Sequence, residues 1–283
     1  MKQKILFPAL AIGGGIVGFA LRLVQNRTGF EASTGLAIPG NAAGMALTAL
    51  FVLAAAAAIL LSWKLSKKDN DLTFPAAFPA PEAALLMPII MGVFLMALSG
   101  LADLAIGLGL GGEAVFTPAA HLLLGLLALL SAAGLFLGAV SCRKTEEFVG
   151  TPLLAAPAMM VVRLVLTYRV SSTDPTLSAY YVELLALIFL TLGFFRLSSF
   201  AFKDGRTRPF VRYSVLAVVF SLASLAEWGS HVGCISSLVL YAGGAAVLLG
   251  FMLLRMNALE KQVSTFAGGG GHRPLLCPHP PMY

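Results

Sequence analysis

Several ionisable side chains in this sequence stand within or at the ends of long apolar segments, where they could do chemistry. They are Arg22, Asp103, Arg163, Glu183 and Glu227. A charge in a lipid-embedded helix is costly, and it usually faces a partner or a water-filled cavity. An arginine holds a carboxylate or phosphate through parallel hydrogen bonds, while an acid binds an amine or a proton. We therefore predict that these residues form a binding site for a small polar or anionic solute.

The same residues also have a purely structural interpretation. All of them fall in the outer halves of their segments, where they can cap helices or form ion pairs that fix helix packing. Each half of the chain supplies one base and one acid at similar depth, which predicts that Arg22 lies near Asp103 and Arg163 near Glu227. Only two apolar residues follow Arg22. We therefore expect Arg22 to reach water and Arg163 to be the more buried of the two arginines.

Motifs that would identify an enzyme are missing from the sequence. It contains no phosphate-binding loop with Gly-Lys-Ser/Thr, no H-E-x-x-H and no G-x-S-x-G. The stretch from Gly107 to Gly112 matches G-x-G-x-x-G, but it lacks the preceding strand and the later acid of a dinucleotide-binding unit. The histidines and cysteines lack the spacing of a metal site; those we considered are His121, His231, His272, Cys277 and His279. We predict no catalytic residue, cofactor or metal.

Composition assigns the chain to the membrane. Of its 283 residues, 58% are hydrophobic and 11% are charged, against roughly a quarter charged in an average soluble domain. A membrane-spanning helix takes about 20 apolar residues, so the sequence provides about eight spans and little else. The predicted partner is the lipid bilayer rather than nucleic acid, because Lys and Arg in the short loops of a membrane protein first report orientation.

Eight apolar segments are separated by charged or Pro/Gly-rich breaks. Lipid offers no partner for the open edges of a sheet, so the predicted class is an all-α polytopic membrane protein. The first segment can also be read as a signal peptide, but its apolar run continues to full spanning length, and we expect it to be retained. The predicted spans are 5–24, 42–63, 83–104, 117–140, 149–168, 180–200, 211–228 and 235–254.

The positive charges predict the orientation of these spans. If the helices alternate in direction, fifteen of the 19 Lys and Arg residues lie on the side of the N-terminus and four on the other. Positive residues accumulate in cytoplasmic loops. We therefore predict a cytoplasmic (inner) membrane protein whose two termini, and the connections 64–82 and 201–210, are cytoplasmic.

Four short matches occur in the same order in the two halves of the chain and indicate a tandem duplication. They pair Arg22-Leu23-Val24 with Arg163-Leu164-Val165, Lys68-Asp69 with Lys203-Asp204, Leu98 to Asp103 with Leu222 to Glu227, and Gly138 and Arg143 with Gly250 and Arg255. The alternative is that segments rich in Leu and Ala match through composition alone. A duplication predicts two four-helix repeats in parallel orientation, 1–140 and 141–258, followed by a flexible Gly- and Pro-rich tail, 259–283.

Parallel repeats are one transporter architecture, although they also occur in proteins that transport nothing. The sequence thus favours a small-solute or ion-coupled transporter with a charged site in its outer half. The alternative is a non-transporting membrane sensor or assembly subunit. A membrane-embedded enzyme is the least favoured class, and the sequence does not specify an oligomeric state.

Overall fold

A computed structural model describes residues 2–31, 36–63, 65, 73–112, 114–143, 149–172, 177–228 and 235–268. Within these ranges the protein is helical, and its only β-type pairing is one isolated bridge between Phe30 and Ala37. The α-helices are α1 (Lys2–Thr28), α2 (Ala42–Ser62), α3 (Phe74–Ala77), α4 (Met87–Gly107), α5 (Pro118–Ser141), α6 (Ala155–Ser171), α7 (Leu177–Ser199), α8 (Thr207–Ser224) and α9 (Ile235–Gly268).

Eight helical segments in the described part of the chain are long and apolar enough to cross a membrane. The eight predicted spans are therefore confirmed, and the chain is an all-α polytopic membrane protein. The largest difference is at the end, where α9 continues to Gly268 instead of ending near 254. Of the residues named in the motif search, His231, His272, Cys277 and His279 lie outside the described residues.

We call the end of the bundle at which α1 begins the inner end, and the end at which α1 finishes the outer end. Helices α8 and α9 form the centre of the bundle. In each of them, 72% of the residues in the most apolar stretch are buried, against 22% in α2. Helix α8 packs against α1, α2, α7 and α9, and α4 packs against α5 and α9. Helix α6 lies between α5 and α7.

Helices α4 and α9 approach each other closely because glycines face one another across their contact. A Cβ atom on Gly92 would lie 2.6 Å from the carbonyl oxygen of Gly243, and one on Gly243 would lie 2.8 Å from that of Gly92. Small residues allow such backbone approach between membrane helices. Further along the same contact, the Ser99 hydroxyl donates to the Ser236 carbonyl at 2.7 Å. This crossing brings the start of α9 close to the acid at the outer end of α4.

The connection 64–82, which we predict to be cytoplasmic, contains a segment that inserts between the helices. This inserted segment was not predicted from the sequence. Residues 73–81 include α3 and enter the inner end of the bundle, where Phe74 and Phe78 are buried. The Phe78 ring lies 5.0, 5.6 and 5.4 Å from the ring centroids of Phe200, Phe210 and Phe251. The aromatic side chains of this segment gain more from burial between the helices than they would from exposure.

Candidate functional site

The predicted site residues are all buried, and they come from five elements of the outer end. Arg22 lies on α1, Asp103 on α4, Arg163 on α6, Glu183 on α7 and Glu227 on the turn that ends α8. None of these side chains exposes more than 4% of its surface. Helices distant in sequence thus bring their charges to one region of the bundle, as charges inside a membrane protein tend to do.

Asp103 lies at the centre of a buried hydrogen-bond network. Its Oδ2 accepts from Nη1 of Arg163 at 2.9 Å, and its Oδ1 accepts from Ser236 Oγ at 2.9 Å and from His121 Nδ1 at 3.1 Å. Arg163 also donates through Nη2 to the Ser237 hydroxyl at 2.7 Å. The Asp103 carboxyl thus accepts hydrogen bonds from three side chains, one of which is the Arg163 guanidinium.

The hydrogen bonds of His121 assign its protonation state. Its Nε2 lies 3.2 Å from the backbone nitrogen of Phe116 and accepts that N–H, so Nε2 carries no proton. The ring hydrogen is therefore on Nδ1, where it is donated to Asp103. In this arrangement His121 orients the Asp103 carboxyl through Nδ1.

A second ion pair lies between α1 and the end of α8. Arg22 Nη2 is 3.0 Å from Oε1 of Glu227, and Nη1 donates to Gln25 Oε1 at 2.9 Å. The guanidinium also lies 5.6 Å from the ring centroid of Tyr181, within cation–π distance. In addition, the Asn26 side chain donates to the Ala226 carbonyl at 3.1 Å. These contacts anchor the outer end of α1 on α8.

The pairing predicted from the sequence is wrong, since Arg22 pairs with Glu227 and Arg163 pairs with Asp103. Equal depth in the membrane does not select a partner, whereas helix adjacency does, and α1 packs along α8. The expected exposure of Arg22 is also wrong, because only 1% of this residue is exposed. Both ion pairs instead join the first half of the chain to the second.

Among the described residues, Glu183 is the carboxyl of this region that has no ion-pair partner of its own. Its Oε1 accepts from the Tyr241 hydroxyl at 2.6 Å, while no described residue makes a hydrogen bond to its buried Oε2. Glu183 interacts electrostatically with both Arg22 and Arg163, yet each arginine already has an acid partner. The five predicted site residues comprise two guanidiniums and three carboxyls. Among these five residues, one carboxyl therefore has no arginine to balance it, and a buried carboxylate in that position is costly.

A cleft at the outer end leads toward Arg22. It has a volume of about 1010 Å³ and lies between α1 and α2 beside Tyr181. Gln25 and Tyr181 line it, and both contact the Arg22 guanidinium. Its rim also carries the exposed apolar side chains of Met45, Val52 and Leu53. The cleft thus combines polar groups near the ion pair with an apolar opening between the helices.

Tyr241, Ser236 and Ser237 belong to the site but were not predicted from the sequence. Hydroxyl side chains are common in membrane helices and carry no charge that would mark them. One signal is present in retrospect, because Ser237 and Tyr241 are four residues apart in α9 and therefore share a helix face. That face supplies hydrogen bonds to both Arg163 and Glu183.

The observed pairing predicts the outcome of double-mutant cycles. We expect Arg22→Ala and Glu227→Ala to be non-additive in unfolding free energy by about 0.5–3 kcal/mol, because contacting residues couple to that extent. The cycle of Arg22→Ala with Asp103→Ala should be additive within about 0.5 kcal/mol, since these two residues have separate partners. Unfolding in mixed detergent micelles measures both cycles. Strong coupling only in the second cycle would contradict the observed pairs.

Comparison with protein-family models, curated proteins and solved structures finds no match to this chain. Among the described residues, no group of three or more His, Cys, Asp or Glu side chains is placed to hold a metal ion. The fold therefore defines the class, a multi-pass membrane protein, and the described residues include a group of buried charges at its outer end.

Proposed function

We propose that this protein is an ion-coupled transporter of a small polar or anionic solute, and that Glu183 binds the coupling proton or small cation. The observation that carries the proposal is the buried Oε2 atom of Glu183, which has no hydrogen-bond partner among the described residues. The residue is only 4% exposed. A buried carboxylate in this position is costly unless a proton or cation neutralises it.

Occupancy of Glu183 would change the electrostatic balance of the whole site. With a proton or cation bound, the two guanidiniums balance Asp103 and Glu227. After its release, an additional negative charge acts on Arg22 and Arg163 and competes with their acid partners. An anionic solute would depend on the same guanidiniums, because an arginine fork binds carboxylate or phosphate in two parallel hydrogen bonds. This competition supplies a physical link between ion binding and solute binding.

We further propose that the solute reaches this site through the cleft between α1 and α2. The cleft is lined by Gln25 and Tyr181, which contact the Arg22 guanidinium. Motion of these two side chains would open a path to the ion pair without unfolding a helix.

The tandem repeat and the orientation remain part of this proposal. The repeat correspondence relates Arg22 to Arg163 and Asp103 to Glu227, so it exchanges one observed ion pair with the other. That exchange supports two parallel four-helix repeats, 1–140 and 141–258. The distribution of Lys and Arg supports a cytoplasmic membrane location with both termini in the cytoplasm.

Uptake into proteoliposomes tests the transport proposal. Vesicles with an imposed pH or sodium gradient are incubated with pooled amino acids, small carboxylates and inorganic phosphate, and the internal solutes are quantified. We expect gradient-dependent uptake by the wild-type protein, and uptake by Glu183→Gln at the protein-free level. The substitution keeps the shape of the side chain but removes the negative charge and the titratable group that would bind a proton or attract a cation.

The matched control is Glu31→Gln, which makes the same chemical change at an exposed position. It should transport like the wild type. Equal uptake by Glu183→Gln and the wild type would contradict the role of Glu183. Failure of folded wild-type protein to move any pooled solute under either gradient would contradict transport of these classes.

A non-transporting sensor or assembly subunit is the second candidate. The observation that favours it is the buried hydrogen-bond network of Asp103, in which Arg163, His121 and Ser236 satisfy the carboxylate. Such a network holds helices together without binding a ligand. This candidate predicts that the wild-type protein moves solute no faster than protein-free vesicles do. It also predicts that substitutions at the site change the stability of the protein.

A further inference from the structure

A cavity of about 430 Å³ lies at the inner end of the bundle, opposite the outer charged site. It is bounded by the inserted segment 73–81, the end of α5 and the inner part of α9. Thr73 and Asn257 provide polar groups in its lining, and Arg143 and Lys261 provide two cations. Its volume is within the range of roughly 300–1,000 Å³ typical of small-molecule sites.

Asn257 is a buried polar side chain that lacks its expected partner. It exposes 8% of its surface, and its Oδ1 atom has no hydrogen-bond partner among the described residues. Buried amide oxygens normally accept a hydrogen bond, so each exception requires an explanation. Asn257 lines the cavity, so rotation of its amide would let a hydrogen-bond donor bound there satisfy this oxygen.

The charges around the cavity indicate which other chemical group the ligand carries. The side chains of Arg143 and Lys261 are exposed and line the same space. Cys142 also lines it, but burial raises the pKa of this thiol to about 12. The thiol is therefore uncharged near neutral pH and does not repel an anion. A ligand with an anionic group near the two cations and a donor near Asn257 fits this chemistry.

We propose that this cavity binds a phosphate ester that carries a hydroxyl group. The phosphate is held by Arg143 and Lys261, since arginine and lysine are the side chains that bind phosphate through charge-assisted hydrogen bonds. The hydroxyl donates to Oδ1 of Asn257. The same chemistry is present in a free glycerol phosphate and in the headgroup of an anionic glycerophospholipid. The proposal is independent of the outer site, because none of the residues that carry it belongs to that site.

Ligand binding here would also stabilise the inserted segment. The backbone N–H of Ala80 donates to the Cys142 carbonyl at 3.1 Å, and Arg255 Nη1 donates to the Ala77 carbonyl at 3.1 Å. The segment thus connects the cavity to α5 and α9. A bound phosphate that bridges Arg143 at the end of α5 and Lys261 on α9 would hold α5, α9 and the inserted segment together.

Thermal unfolding and calorimetry of the full-length protein in nanodiscs test the proposal. The soluble probe is glycerol 3-phosphate, added to phosphatidylcholine nanodiscs, with glycerol as the uncharged control. The lipid probe is phosphatidylglycerol, compared with phosphatidylcholine alone. We expect at least one phosphate probe to raise the melting temperature. We expect Lys261→Gln to weaken binding about tenfold, as loss of one charge-assisted hydrogen bond predicts.

Lys203→Gln is the matched control, because it removes an exposed lysine from the same end of the bundle without touching the cavity. Stabilisation by glycerol 3-phosphate that is lost in Lys261→Gln but kept in Lys203→Gln supports a free phosphate ester as the ligand. The same pattern with phosphatidylglycerol alone supports a lipid headgroup.

Two results would overturn the proposal. One is the absence of stabilisation by either phosphate probe. The other is equal weakening by Lys261→Gln and Lys203→Gln, which would indicate attraction by overall charge. Asn257→Leu also tests the contact between the ligand hydroxyl and Oδ1 of Asn257. If this substitution at a buried position prevents folding, Lys261→Gln still tests the proposal.

Discussion

Replacing Asp103 with asparagine is expected to lower the free energy of unfolding by about 3–5 kcal/mol, the cost of leaving a buried charge without its partner. Asp103 and Arg163 are both fully buried and lie 2.9 Å apart. Asparagine preserves the volume of the side chain but removes its negative charge, so the Arg163 guanidinium remains in the bundle uncompensated. Its amide group also presents donors toward His121 and Ser236, both of which now donate to the carboxylate.

Asp204→Asn is the matched control for this substitution. Asp204 lies 3.8 Å from Arg206, and both side chains are mostly exposed, at 72% and 63%. Exposed ion pairs contribute about 0–1 kcal/mol, so this change should have little effect on unfolding in mixed micelles. If Asp103→Asn lowers the free energy of unfolding no more than Asp204→Asn does, the buried charge network of the outer end does not stabilise the fold.

Phe78→Ala is expected to destabilise the protein by about 3–5 kcal/mol, the typical cost of truncating a buried phenylalanine. Phe78 is fully buried at the inner end, and its ring packs against those of Phe200, Phe210 and Phe251. Truncation removes these contacts and leaves a cavity that the surrounding helices fill only in part. Unfolding in mixed micelles also measures this effect.

Phe202→Ala provides the comparison at the same end of the bundle, because the Phe202 side chain is 51% exposed. Phe202→Ala should lower the free energy of unfolding much less than Phe78→Ala does. If the two substitutions destabilise the protein equally, the inserted segment 73–81 is not part of the folded core, and the cavity that it borders loses one of its walls.

The spans were predictable because the physical requirement is strong and local. Crossing a lipid core takes a continuous apolar run of about 20 residues, and the helices Ala42–Ser62 and Pro118–Ser141 follow such runs closely. The depth of the buried charges was predictable for the same reason, since depth follows from position within a span. The all-α class required no knowledge of tertiary contacts.

The partners of those charges were not predictable from position alone. Arg22 selects Glu227 because α1 packs on α8, and no local pattern in the sequence encodes that adjacency. Segment 73–81 was missed for a related reason. Helix α3 has only four residues, too few for a helical period, and burial of Phe74 and Phe78 depends on helices far away in the chain.

Arg255 illustrates the limit of a charge census. It was counted among the positive charges of the inner side, and it does lie at the inner end, but it is fully buried. Its Nε donates to the Thr207 hydroxyl at 2.7 Å, and its Nη1 donates to the Ala77 carbonyl. An arginine at the end of a span can thus fasten neighbouring elements as well as report orientation.

Labelling with a hydrophobic carbodiimide tests most directly whether Glu183 is the carboxyl available to a coupling ion. Such reagents add to a protonated carboxyl that they reach from an apolar environment, and the stable adduct is mapped by mass spectrometry. We predict an adduct at Glu183, whose Oε2 has no hydrogen-bond partner among the described residues, and none at Asp103 or Glu227, which are paired with arginines. The adduct should disappear in Glu183→Gln. Modification of Asp103 or Glu227 with Glu183 left unmodified would contradict the account.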